Sequence, residues 1–449
     1  MASKSSTPRR AEVWRLPPGS LGFPLLGETL AFVSNPYRFL EHRRDRYGEI
    51  FKSNVTGRRV VFLSGMEGAS AFYNPENISR EHAHPFLMVD MFGGTNFEMY
   101  DGPRHVALKT IALKAFDESA LAGYLPDMQL AIESWLERHA DGTPFPAMTA
   151  LRGLALDAIC RNVMGLERGP ETETMTRDYG LLLAGLAATV PVRIPGTTYG
   201  RAMSARDRLL ARIRRIVEER RAHPRADGLS RILSVMAPDG RTYTDDEAVL
   251  EIHHIVVAGF VVYAHLAEVV LRLATQPDLR ARCAQEVARY APDGRLSLQS
   301  LSQAATSMAV VMEAKRLVPL VPLAFGRARR TFACGGYQVP EGCTVYLALH
   351  LINRDPSIYL EPGRFDPDRF KPGREEHHKH PLAFIPQGSD PPVSHRCLGL
   401  EYSTLLTLAF LTLLIRGYEW RLPSQRLDLD WSARPPEPRD GLIIQLRSI

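Results

Sequence analysis

One of the five cysteines stands where a soft metal ligand could work. Cys397 ends a loop rich in Pro and Gly, PLAFIPQGSDPPVSHRC over residues 381–397, and Gly399 follows two places later. From Leu398 an apolar run with helical spacing begins, carrying Leu405, Leu408, Ala409, Thr412 and Leu413. A cysteine at such a loop-to-helix junction meets free backbone N–H groups and the positive end of the helix dipole, which favour an anion. A thiolate held there is a good soft ligand. A buried, inert cysteine before a core helix fits the same residues, so the rest of the chain must separate the two readings.

Other residues repeat the pattern of chemistry at helical spacing. Glu313 and Arg316 stand three apart on a predicted helix, where an acid and a base can pair; taken alone, surface helices are full of such pairs. His105 and Lys109 lie four apart on one face of a helix predicted from Pro103 to Phe116. Thr244-Asp-Asp-Glu247 is a capping box, and the helix it opens is predicted to run to about Ala274. The middle of that helix, Ile255–Ala264, is apolar all round, as suits an element crossing the centre of a large protein. Within it Ala258-Gly259-Phe260 precedes Val261-Val262-Tyr263. Neither valine can donate a proton, and Tyr263 and His265 are the nearest donors, or simply packing residues.

Composition bounds the class. The 449 residues are 45% hydrophobic, enough for a large core, and length alone permits two or three domains. A formal charge of +5 without runs of like charge argues against nucleic acid as partner. Cys160, Cys283, Cys334, Cys343 and Cys397 form no CxxC pair and no zinc spacing, which argues for a reducing compartment. Cys334 and Cys343 flank a predicted Gly-Gly turn. No segment reaches the roughly 18–20 unbroken apolar residues of a membrane span, and MASKSSTPRR lacks the apolar region of a signal peptide. A soluble, cytoplasmic monomer without membrane anchor is expected.

Along the chain, a flexible tail over residues 1–16 precedes an extended Pro-Gly segment. A helix is predicted over 36–47, then strands over 50–55 and 59–63 joined by Thr56-Gly57-Arg58. Residues 84–100 mix aromatics, Met and Gly-Gly without helical period; a substrate lid or a plain connection suits them equally. Residues 124–240 read as mostly helical, broken at 165–170, at 191–196 and near Pro224, and residues 318–350 as a small β region. Pattern alone therefore gives a mainly α chain with a minor β part.

Phe384, Gly388, Cys397 and Gly399 follow the order of the cysteine loop of the cytochrome P-450 (haem-thiolate) superfamily, though eight residues separate Gly388 from Cys397. The loop resembles the fatty-acid peroxygenase branch most, whereas the PPGSLGFPLLGE start is more similar to sterol- and retinoid-oxidising members. Glu313-x-x-Arg316, then Phe365-Asp-Pro-Asp-Arg369-Phe370, then the cysteine loop matches the superfamily's C-terminal signature. The resemblance implies one catalytic domain over 17–449 with the family's triangular-prism fold and a long central helix over haem b. Cys397 would be the axial iron ligand, with Glu313, Arg316 and Arg369 a buried charge network beneath the haem. His105, Lys109, Arg327 and His395 would face the haem propionates. The substrate pocket would include Phe86, Met91, Phe92, Phe97, Ala258, Phe260 and Val318. At Val261 and Val262 the usual acid–alcohol proton relay is missing, as is the Arg-Pro pair with which peroxygenases grip a carboxylate.

The implied function is insertion of oxygen into a hydrophobic small molecule such as a lipid, sterol, terpenoid or polyketide-like compound. Electrons would come from a separate ferredoxin or reductase on the proximal face, or peroxide would bypass them. A haem-thiolate isomerase or dehydratase would suit the missing relay, and a non-enzymatic haem sensor or binding protein is an alternative of another class.

Overall fold

The computed structural model describes residues 15–24, 26–188, 191–389, 394–431, 433 and 435–449. The tail expected over residues 1–16 lies almost wholly outside the described residues, as do residues 390–393 of the cysteine loop. Near the N-terminus, Pro36–Tyr47 is helical as predicted, with Pro36 at its first turn and the Asn35 side chain accepting from the Arg38 N–H. Strands β1 (Ile50–Val55) and β2 (Arg58–Leu63) then form an antiparallel hairpin. Its turn is Thr56-Gly57 alone, at φ 52° and 74°, the positive values a two-residue turn needs to match strand twist. Arg58, expected in the turn, pairs with Val55 instead.

Strand β3 (Ala324–Ala328) lies antiparallel to β4 (Thr344–Leu347), and β4 runs parallel to β2. With Gly19–Ser20 at one edge and Ile78–Ser79 at the other they make a six-stranded sheet. Cys334 flanks the Gly335-Gly336 turn of a separate two-stranded hairpin, as expected, but Cys343 does not: it lies beyond the hairpin, its carbonyl accepting from the Ala328 N–H at 2.9 Å.

Helices build the remainder. Residues 84–100 contain a helix, Phe86–Phe92, that the absence of an apolar period concealed. Helix α1 (Gly102–Ala112) follows, then Glu118–His139 and α2 (Ala147–Met164). The gap between the last two was not foreseen. The predicted central helix is two: α3 (Asp245–Phe260), opened by the Thr244/Glu247 capping box, and α4 (Tyr263–Thr275), with Val261-Val262 a turn between them. Gly259, near the end of α3, is required by packing: a Cβ there would meet Ile159 of α2 at 2.5 Å. Helix α5 (Ala305–Leu317) carries Glu313 and Arg316, and α6 (Leu400–Gly417) follows the cysteine loop. The stretch Asp245–Thr275 and helix α6 are apolar enough to cross a membrane by composition, but 78% and 72% of their most apolar windows are buried in the fold. They form its core.

Candidate active site

Cys397 precedes α6, and the chain holds it from several sides. Its N–H donates to the Gln387 carbonyl (3.0 Å), and Gln387 Nε2 lies 3.6 Å from its sulfur. Burial pushes the thiol pKa up; the Gly399 N–H and the ammonium groups of Lys315 and Lys109 oppose that rise. Gly388 turns the loop at φ +82°, a left-handed conformation, with the His395 carbonyl 3.2 Å from where a Cβ would stand. Phe384 packs edge-on to Phe370 at 5.3 Å, tying the loop to the Arg369 segment.

Tied to this loop through Asn353, whose side chain accepts from the Ile385 N–H at 3.1 Å, Glu313, Arg316 and Arg369 are brought together with no solvent exposure. Arg316 forks onto Glu313 at 2.6 and 2.8 Å and donates to the carbonyls of Asn353 and Pro362, both at 2.8 Å, and of Arg364 at 3.2 Å. Arg369 bridges Glu313 (3.1 Å) to Glu376 (2.5 Å). Bidentate geometry and saturated donors are what make a buried ion pair tolerable.

Helix α1 turns His105 and Lys109 inward, both buried, towards the cysteine loop. The His105 ring stacks on His395 at 4.0 Å, while its Nδ1 pairs with the Phe97 carbonyl at 2.7 Å. Lys109 Nζ donates to the carbonyls of Ser394 and of Arg396 (2.5 Å), and burial lowers its pKa to about 8. His395 pairs with Asp101 at 3.3 Å, yet burial pushes it down to about 4. His105 Nε2 and His395 Nδ1 are buried without a hydrogen-bond partner among the described residues. The Lys109 ammonium, held only by carbonyls, fits a carboxylate-bearing group such as haem. Each free imidazole nitrogen, its ring partner already donating to Phe97 or Asp101, would donate to that carboxylate only with the ring protonated, a state a nearby anion favours.

Arg327 is a correction. It is exposed and donates to the Gly342 carbonyl (3.1 Å), because strand alternation turns Gly326 and Ala328 inward instead. The cation sequence reasoning missed is Arg80: buried, its guanidinium over the Phe72 ring, it donates to the Phe325 carbonyl at 2.6 Å and acts on both Lys109 and His395. Nothing local in the sequence marks it.

In the second half of α3 and just beyond, over residues 251–262, His254, Ala258 and Val261 are less buried than their neighbours and recur at i, i+4 and i+7, one open stripe on an otherwise buried stretch. Phe92 and Phe97 pack on His254 at 5.1 and 5.7 Å, and Phe97 also touches His105 (5.7 Å), joining this stripe to α1. Met91 is buried beside them, its carbonyl 3.2 Å from His253, and Phe86 is largely exposed. Phe260 and Tyr263 point elsewhere. Phe260 is buried against Tyr179 and Tyr263, while the Tyr263 ring lies under Arg152, which donates to Glu437. Burial raises the Tyr263 hydroxyl to about 12. Tyr263 stands nine residues after His254, half a turn round at about 100° per residue, which is why the nearest hydroxyl in sequence is off the stripe. Val262 is buried too, and Val318 lines a small internal cavity with Met148, Ala264 and Leu271.

An acid–imidazole–acid chain occupies the stripe instead. Glu98 sits 3.4 Å from His254 Nε2, and His254 Nδ1 is 3.3 Å from Glu251, which is buried. Burial alone would lower His254, but hydrogen bonds to Glu251 and Glu98 raise it to about 10. For Glu98 burial works upward; His254, His84 and His395 outweigh it and hold the carboxyl well below its ordinary range. Its charge also reaches Lys109 and Cys397, which sets Glu98 between the cysteine loop and α3. Lying in the aperiodic 84–100 stretch, it gave no signal in sequence.

A family model described as Cytochrome P450 matches residues 17–438. The putative cytochrome P450 120 of Synechocystis sp. is 28% identical over 438 residues, 97% of each chain. Abscisic acid 8'-hydroxylase 3 of Oryza sativa subsp. japonica is 30% identical over 96% of this chain and 86% of its own length. Among solved structures, retinoic acid-bound cyanobacterial CYP120A1 aligns with a TM-score of 0.89 at 27% identity, covering 97% of this chain and all of that one. Cytochrome P450EX alpha (CYP152N1) with myristic acid aligns at 0.81 and 25% identity, with the same coverage.

Proposed function

Because the chain belongs to the cytochrome P450 family, whose members hold haem b through a cysteine thiolate, we propose that Cys397 is its iron ligand and residues 17–449 one catalytic domain. The family assignment makes it a haem-thiolate oxidoreductase that inserts oxygen into hydrophobic small molecules. Of the three functions open from sequence, the relatives' names favour this one over an isomerase or a sensor. The observation that supports the ligand is the set of groups converging on Cys397: the Gln387 amide, the Gly399 N–H and two buried ammonium groups. His105, Lys109 and His395 would hold the propionates. Bound there, haem supplies the oxygen chemistry, and thiolate donation favours O–O cleavage.

Proton supply then falls to this chain's own residues. Val261 and Val262 carry no exchangeable proton, whereas the stripe presents Glu98. The proton in this chain sits on His254, between the Glu98 and Glu251 carboxylates; His254 would hand it to Glu98, which would pass it on, and solvent would then reprotonate the imidazole. The substrate class we infer is an apolar lipid- or terpenoid-like molecule. The relatives' names carry abscisic acid, retinoic acid and myristic acid, each named for a carboxylic acid. A carboxylate beside Glu98 would be repelled, and the valines offer no cation, so the substrate's polar end should stay remote from α3. A ferredoxin or reductase would dock at the face beside Cys397, where a groove of about 410 Å³ is lined by Met308, Met312, Phe384, Arg396 and Glu401. A cytoplasmic monomer fits this reading.

The test is optical titration of the haem-loaded protein with apolar acids, alcohols and esters, followed by mass analysis of products with a surrogate reductase or with peroxide. Oxygenated products from a ligand that perturbs the haem spectrum are expected. Ligands that bind yet are returned only rearranged, without oxygen gained or electrons used, would overturn the reading.

A further inference from the structure

Lys315 is the residue of the Glu313-Ala-Lys-Arg316 turn that the charge network leaves unexplained. It is one residue before Arg316, so it leaves α5 about 100° away from the network side. It is buried at 2% exposure, and the three N–H groups of its ammonium are shared among four neutral oxygens: Gln387 Oε1 (2.8 Å), Thr404 Oγ1 (2.6 Å), Ser403 Oγ (3.0 Å) and, longest, the Leu400 carbonyl (3.3 Å). No carboxylate lies within ion-pair distance of it among the described residues. A buried cation solvated only by neutral groups needs an anion nearby, and the first that acts on Lys315 is Cys397, then Glu401.

Gln387 joins the two. An ammonium has only donors, so the amide must turn its oxygen to Lys315. Its Nε2 is thereby committed to the opposite side, where it meets Cys397 Sγ (3.6 Å) and Ser403 Oγ (3.2 Å). The same residue's carbonyl takes the Cys397 N–H, so Gln387 clamps the cysteine by main chain and side chain together.

We propose that Lys315, acting through Gln387, withdraws electron density from the Cys397 thiolate and so sets the haem's reduction potential above what the unassisted cysteine loop would give. The ammonium polarises the amide, the amide strengthens its N–H to sulfur, and the buried location leaves the charge little screened. Lys315 is a positioning and tuning residue, not a catalytic one. Higher potential eases the first electron into the iron and weakens the thiolate's push. The inference rests on Cys397 being the ligand.

The experiment measures the midpoint potential and the ferrous–CO spectrum of the haem-loaded wild type, Lys315→Met, Gln387→Leu and the double variant. Burial pulls Lys315 down to about 7, so measurements are made at pH 6, where it carries its charge. Each single variant should shift the ferric-to-ferrous equilibrium about tenfold toward ferric, equivalent to a fall of about 59 mV for one electron. The double variant should shift no further than the larger single, because the two residues form one path. Should Lys315→Met fail to fold, Gln387→Leu, which removes the N–H and leaves Ser403 and Thr404 to hold the ammonium, decides alone. Thiolate-type CO spectra with midpoints unmoved within about twofold would overturn this inference only. Loss of the thiolate-type band already in the wild type would instead sink the assignment of Cys397.

Discussion

Removing Arg316 tests whether the network tied to the cysteine loop is structural. In Arg316→Ala, Glu313 keeps Arg369 at 3.1 Å but loses both bonds of the fork, and the carbonyls of Asn353 and Pro362 lose this donor, while that of Arg364 keeps only Arg369 at 3.3 Å. The ion pair itself is fully buried, where breaking one side costs about 3–5 kcal/mol. With unfolding entropy of about 2.1 cal/mol/K per residue, a chain of 449 residues changes by roughly 0.9 kcal/mol per degree, so the melting point should drop about 3–5 °C. Arg316→Lys restores charge without the fork and should recover less than half of that. The assay is thermal unfolding of the purified protein by circular dichroism, with haem content measured alongside. Because the network braces the segment leading to Cys397, haem retention should fall with stability. A fully loaded Arg316→Ala that melts within a degree of wild type, with only turnover slowed, would refute a structural role.

Proton delivery gives two further tests. Glu98→Gln should cut product formed per electron consumed by at least about tenfold, within the usual range for positioned proton transfer, while the ferric spectrum stays unchanged; unaltered coupling would count against the Glu98–His254 chain. Val262→Thr together with Val261→Asp should improve coupling with reductase and O₂, judged by product per NADPH beside product per peroxide. Acid should destabilise the fold through its buried neutral histidines. Burial holds His253 and His350 at about 4 and His265 at about 3, below the unfolded value of about 6.5. Their contribution is therefore present above pH 6.5 and is lost as pH falls toward 4, by up to about 1.4 kcal/mol per unit for each. Melting points at pH 7 and pH 5 should differ by several degrees, and His265→Gln should narrow the gap.

What sequence made legible was the part governed by local rules. The capping box at Thr244, the cysteine at a helix start and the Glu-x-x-Arg spacing are short-range features, and each stands where it was expected. Gly335, Gly336 and Gly57 turned the chain as glycine's freedom at positive φ dictates, and Gly57 holds β-branched Thr56 beside it at φ 52°. What stayed hidden was direction and long-range company. Arg327 was misplaced although alternation along a strand with Gly326 and Ala328 could have turned it outward. Tyr263 was offered for its nearness in sequence, although nine residues from His254 it faces the opposite side of the helix. Glu98, Arg80 and Lys315 acquire meaning only from partners far along the chain, His254, Phe325 and Gln387, which no window of sequence contains.

The central claim is that Cys397 supplies the thiolate. The measurement that tests it most directly is the absorption spectrum of the dithionite-reduced, CO-bound protein. Wild type, Cys334→Ala and Cys343→Ala should all show the red-shifted Soret band of thiolate-ligated haem, and Cys397→Ala should lack it. The same band persisting in Cys397→Ala would contradict the account.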